Sequence, residues 1–162
     1  MATLSNPTFQ IDILTGMPND YRVRGTVNVE LTPFDMSLIN MGLPLQLQSN
    51  LWGDDESSEA RSGNDPPLFG WGYISSMTGG EDGKDDLLFS FTTQNITAPG
   101  TYTFEATVPR NVLNEDISYF GSGNNRDEVY NKFSLVSGSN LFPLNIATNS
   151  PLIVGLFGSA IW

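Results

Sequence analysis

Alternation with a period of two is the feature of this chain that most restricts its fold. From Tyr21 to Leu31, the residues Tyr21, Val23, Val27, Val29 and Leu31 fall on one side, and Arg22, Arg24, Thr26, Asn28 and Glu30 fall on the other. From Thr101 to Val108, the same rhythm sets Tyr102, Phe104, Ala106 and Val108 against Thr101, Thr103, Glu105 and Thr107. Successive side chains of a strand point to opposite faces, so both stretches are predicted to be β-strands with one face on a core. The pattern recurs in Thr8 to Leu14 through Phe9, Ile11 and Ile13, and in Leu43 to Trp52 through Leu43, Leu45 and Leu47. It is also present in Leu68 to Met77 through Phe69, Trp71 and Tyr73, and in Val129 to Val136 through Val129, Asn131, Phe133 and Leu135. Leu141 to Ile146 and Leu152 to Phe157 read as final strands or an extended tail.

Leu87 to Thr93 carries Leu87, Phe89 and Phe91 on one face and is separated from the 101–108 strand by a Pro99-Gly100 turn. The two are expected to pair as an antiparallel hairpin. Thr32 to Gly42 reads two ways, since Phe34, Met36 and Leu38 alternate as in a strand. Thr32 as a cap, Pro33 at a first helical position, Asp35 in the first turn and Gly42 at the end favour a short helix over one end of the sheet. Gly53 to Pro67 and Thr78 to Lys84 are polar loops. Pro109 to Arg126 is a long connection in which Val112, Leu113, Ile117 and Phe120 are set to pack one short helical face. Such connections carry the sheet-crossing step of Greek-key sandwiches. With no repeat and no domain boundary, the reading is a single domain over 1–162, an all-β antiparallel Greek-key sandwich of seven to nine strands.

The stretch Pro99-Gly100-Thr101-Tyr102-Thr103-Phe104-Glu105-Ala106 resembles the start of the penultimate strand in immunoglobulin-like sandwiches, where a tyrosine hydrogen-bonds back across the corner. Phe104 stands where antibody domains place a cysteine, so the likeness is to cysteine-free, bacterial immunoglobulin-like or C2-like modules. What it implies is architecture, because such folds host many unrelated functions.

Composition excludes several chemistries. The chain has no cysteine and no histidine, which removes disulfides, thiolate nucleophiles, the usual zinc sites and every histidine-based catalytic arrangement. A net charge of −11, from 18 acids and 7 scattered bases, repels phosphate backbones and anionic lipid, so nucleic acid is not an expected partner. No secretory signal is visible at the amino terminus, and no apolar run reaches the roughly 20 residues a membrane span takes; the compartment stays open. The lack of a nucleophile elbow, phosphate loop or dinucleotide fingerprint argues against an enzyme.

The acids are distributed unevenly. Nine of the 18 lie between Asp54 and Asp86. If the 87–93 and 101–108 strands are antiparallel, the loops before and after the hairpin share one end of the molecule. Asp82, Asp85 and Asp86 then meet Glu115, Asp116, Asp127 and Glu128. These seven are the candidate metal ligands, and calcium is the candidate cofactor, because it takes oxygen ligands alone. By the same parity, the loop with Asp54, Asp55, Glu56, Glu59 and Asp65 is expected at the opposite end. The competing account is that all these acids are solvated loop residues that cap turns.

The functional expectation is therefore a non-enzymatic binding or structural module stabilised by calcium. Two alternatives stand beside it. One is a carbohydrate-binding module using Trp52, Trp71 and Tyr73, set against a role for these rings in the core. The other is a subunit of a homo-oligomer, or a module with a protein partner, docking its apolar tail SPLIVGLFGSAIW, set against pairing of that tail within its own domain.

Overall fold

The structure, a computed structural model, describes residues 1–14, 16, 19–54, 86–113, 127–139 and 143–155. In chain order these form β1 (Thr3–Ile13), β2 (Asp20–Glu30), α1 (Pro33–Asn40), β3 (Leu45–Gly53), β4 (Asp86–Ser90), β5 (Gln94–Ile96) and β6 (Gly100–Pro109). A 3₁₀ turn at Arg110–Val112 follows, then β7 (Asp127–Ser137), β8 (Asn145–Asn149) and β9 (Ile153–Gly155). The fold is all-β, in two antiparallel sheets. The smaller has the order β1-β2-β6, and the larger has β4-β3-β7-β8, with β5 also beside β3 and β9 beside β7. The strand expected at Leu68 to Met77, with Trp71 and Tyr73, lies outside the described residues.

Alternating residues make one shared core. Val23 and Val27 of β2, Leu47 and Leu51 of β3, and Val129, Phe133 and Leu135 of β7 are all 0% exposed. Phe104 on the smaller sheet lies between Phe91 and Phe133 on the side of the larger, with ring centroids 5.8 and 6.1 Å away. Aromatic pairs at this spacing add to the burial of area. The outward sides of both sheets carry the polar half of each pattern.

The hairpin expected at the Pro99-Gly100 turn does not form. β4 and β5 both pair with β3, whereas β6 pairs with β2 along Tyr21 to Val29. Alternation specifies which face of a strand is buried but not which strand lies beside it. Facing sheets satisfy the two apolar faces as well as pairing would. Leu87 is also not a core residue, at 54% exposed. A bulge opposite Leu51 and Trp52 inserts Leu88 and shifts the register, so that Leu88 and Phe89 pack on the core instead. Ile13, at 74% exposed, shows the pattern of β1 running on past the core. The strand expected at Leu141 to Ile146 begins later, at Asn145, and pairs with β7.

The capping signals are realised in α1. The Thr32 main-chain N–H and hydroxyl both donate to Asp35 Oδ2, at 2.8 and 2.6 Å, and the Asp35 N–H donates back to Thr32 Oγ1 at 3.3 Å. At the other end Gly42, with φ of 82°, and Leu43 donate to the carbonyls of Ile39 and Leu38. That pair of bonds closes a helix through a left-handed residue. Burial raises the pKa of the Asp35 carboxyl, but hydrogen bonds from Thr32 and the positive α-amino group outweigh it and hold the value below the ordinary range. A depressed carboxyl stabilises the fold above its unfolded-state pKa, and that contribution is lost as pH falls through the folded-state value. Asp35→Asn is expected to cost about 1 kcal/mol at neutral pH and to make the acid limb of the melting profile shallower. An unchanged pH profile would show the cap to be dispensable.

Candidate functional site

The end of the larger sheet where β3 finishes is built by one residue with two neighbours. Gly53 faces Asp86 of β4 on one side and Val129 of β7 on the other. With neighbouring strands about 4.8 Å apart, the backbones of Asp86 and Val129 stand roughly 10 Å apart. The chain just past Gly53 closes the group, because the Asp54 N–H donates to the Glu128 carbonyl at 2.7 Å. Asp127 and Glu128 face Gly155 and Val154 of β9 on the far side. Asp54, Asp86, Asp127 and Glu128 thus share one pole of the sheet. Asp54 and Glu128 are half-buried there and both have partners.

This placement arises through β3, not through a hairpin between the 87–93 and 101–108 stretches. It also corrects the position of Asp54, expected at the opposite end. β3 and β4 are antiparallel neighbours, so the chain leaves the sheet at Asp54 and re-enters at Asp86 on the same pole. Of the other candidate ligands, Asp82, Asp85, Glu115 and Asp116 lie outside the described residues, as do Asp55, Glu56, Glu59 and Asp65. Among the described residues, no group of three or more Asp or Glu is gathered closely enough to hold a metal ion. A complete oxygen cage at this pole therefore needs ligands from outside the described residues, where 55–85 joins Asp54 to Asp86 and 114–126 leads into Asp127. Six to eight oxygens are what calcium requires.

The opposite pole is apolar. Leu38 of α1, Leu43, Leu45, Leu144 and Met1 line a recess of about 120 Å³, with Ser137 and Asp35 among its few polar groups. The apolar segment after Ser150 takes up pairing within its own domain as far as β9, which lies along Asp127 to Val129 of β7. Among the described residues no helix is long and apolar enough to cross a membrane.

A second group is not apparent from charge or motif. At the centre of the core, Ser49 Oγ donates to Asn131 Oδ1 at 2.8 Å, and the Asn131 main chain exchanges bonds with Ser150 at 2.9 Å. Ser49 and Asn131 are both 0% exposed, and Asn131 Nδ2 has no acceptor. The signal in the sequence is an asparagine at an inward position of an otherwise apolar strand face.

Trp52 turns to the outer side of the larger sheet, opposite the buried Leu51 and in register with Tyr130. It is half-buried, with Lys132 Nζ 6.0 Å from its ring centroid, so it is neither a core ring nor a fully exposed one. Comparison with known protein families, with curated proteins and with solved structures found no match.

Proposed function

We propose that the chain is a non-enzymatic module, a Greek-key β-sandwich of the immunoglobulin-like kind whose acidic pole takes calcium. The observation that carries this reading is the position of Gly53 between Asp86 and Val129, with Asp54 bonded to Glu128. Acidic residues whose positions share one pole are held there at least cost with water, donors or a cation among their charges. Two features support the architecture. The path from β5 to β6 to β7 passes from the larger sheet to the smaller and back. The Tyr102 hydroxyl also donates to the Ala98 carbonyl at 2.6 Å, the corner bond that the resemblance implies. The module would bind or hold a partner through its faces and use the ion to fix the loops at the acidic end.

Melting the full chain in calcium and in chelator tests the reading. Calcium at about 100 times its dissociation constant adds about 2.7 kcal/mol, which for a domain of this size raises Tm by roughly 5–10 °C. The rise is expected to shrink when Asp86→Asn and Glu128→Gln are combined. An identical Tm in chelator and in millimolar calcium would leave the acids as solvated loop residues.

A further inference from the structure

We propose that two copies of this chain pack face to face through an apolar row on the outer side of the larger sheet, about a two-fold axis lying along that row. In register, Trp52 of β3 stands between Leu87 of β4 and Tyr130 of β7. Beyond Tyr130, β9 pairs Ile153 with Val129 and Val154 with Glu128, which sets Leu152 at the far end of the row and Val154 beside it. Leu51 and Val129 are in the core, so alternation turns Trp52, Glu128 and Tyr130 outward. Leu87, Leu152 and Val154 are each about half exposed, three of the seven large hydrophobic residues exposed among the described residues. Trp52 is half-buried with its Nε1 covered, so the part of its ring that reaches solvent is carbon. Tyr130 already has a partner, and the open apolar area belongs to the other four. Exposed apolar side chains gathered within a polar rim mark a contact surface.

Charge selects a second copy as the occupant. Along β7, Glu128 lies two residues before Tyr130 and Lys132 two residues after it, and along β3 Asp54 and Asn50 flank Trp52 in the same way. One rim of the row is therefore acidic, with Asp54 and Glu128. The other carries Lys132, in register with Asn50 and Asn149 and with its Nζ 6.0 Å from the Trp52 ring centroid. An axis along the row turns the strands of the second copy end for end. The row then meets itself, and Lys132 of each copy faces Glu128 of the other, the self-complementarity that a two-fold contact requires. Glu128 already has a partner, but a carboxylate accepts from more than one donor. An axis parallel to the strands would set acid against acid, so the charges fix the orientation. The −11 carried by each copy opposes association; at about 0.15 M salt, screening over about 8 Å weakens repulsion between distant acids more than attraction between groups in contact. The row spans three strand spacings, about 14 Å, so the dimer is expected to be a weak one. The inference goes beyond the calcium reading and does not depend on it.

Sedimentation equilibrium of the full chain at about 10–500 μM, in calcium and in chelator, tests this. The mass is expected to rise from one chain towards two in both buffers. Leu87→Gln combined with Leu152→Gln, both at exposed positions, is expected to weaken association roughly ten-fold or more. Lys132→Glu alone and Glu128→Lys alone are each expected to stay monomeric in chelator. An equimolar mixture of those two variants is expected to dimerise, because each then meets opposite charge on the other. In the wild-type protein, backbone amide NMR signals of 50–54 and 128–132 are expected to move with protein concentration while those of β1, β2 and β6 stay in place, a readout that needs no variant to fold. A mass of one chain at every concentration, which would leave the row to a different protein, would overturn the inference. So would dimers in calcium only, a variant mixture that stays monomeric, or concentration-dependent shifts confined to the smaller sheet.

Discussion

Phe104→Ala is expected to lower the free energy of unfolding by about 3–5 kcal/mol. Phe104 is 2% exposed and is a ring through which the smaller sheet reaches the larger. Its neighbours Phe91 and Phe133 come from the segment after β4 and from β7, so its removal opens a void between sheets rather than within one. Strands held in hydrogen-bonded ladders cannot close together to fill that space, which places the cost toward the upper end of the range. Chemical denaturation of the variant checks it: a midpoint shift worth less than about 2 kcal/mol would show that the sheets do not depend on this contact. Phe104→Leu keeps much of the volume and is expected to recover part of the loss.

Gly25→Ala comes next, at about 2–4 kcal/mol, and for a different reason. Gly25 sits in the middle of β2 between Phe9 and Phe104. An added Cβ would collide with Asn131 Nδ2 and lie 3.0 Å from Phe133 Cζ. The obstacle is the close approach of the facing sheet and not the backbone, since the residue is not in a left-handed conformation. Asn131 cannot swing away freely. Its Oδ1 accepts from Ser49, whose hydroxyl would be left buried and unpaired. Overpacking and the broken bond together set the magnitude. In a double-mutant cycle, Asn131→Ala is expected to relieve part of the clash, with a coupling of at least 1 kcal/mol. Strict additivity of the two changes would show that Gly25 and Asn131 do not meet.

Burial on each face was legible along β2 and β7, where the alternation was strict. Tyr21, Val23, Val27 and Val29 are in the core, as are Val129, Asn131, Phe133 and Leu135. The gap at Gly25 in the β2 pattern marks a place where the other sheet comes close. The helix at 33–40 was legible for a local reason, because caps are formed by residues within a few positions of one another. The bulge at Leu88 was not, since register depends on the partner strand and one inserted residue reverses every later side chain. The acidic pole was half legible. Asp86 and Glu128 do share an end, but the expected route through a 99–100 hairpin is absent, and Asp54 joins them against expectation because β3 and β4 are neighbours.

Sequence alone determined the all-β class, the apolar side of β2, β3, β6 and β7, the capped helix and the chemistries ruled out by the lack of cysteine and histidine. These follow from periodicity, from short-range hydrogen bonding and from composition. Only the tertiary structure decided that β3 lies between β4 and β7, that β6 crosses to the other sheet, and that Asn131 meets Ser49 and Ser150 inside the core. Strand neighbours are chosen by long-range packing of faces that look alike in sequence, and a period of two carries no record of which of them will meet.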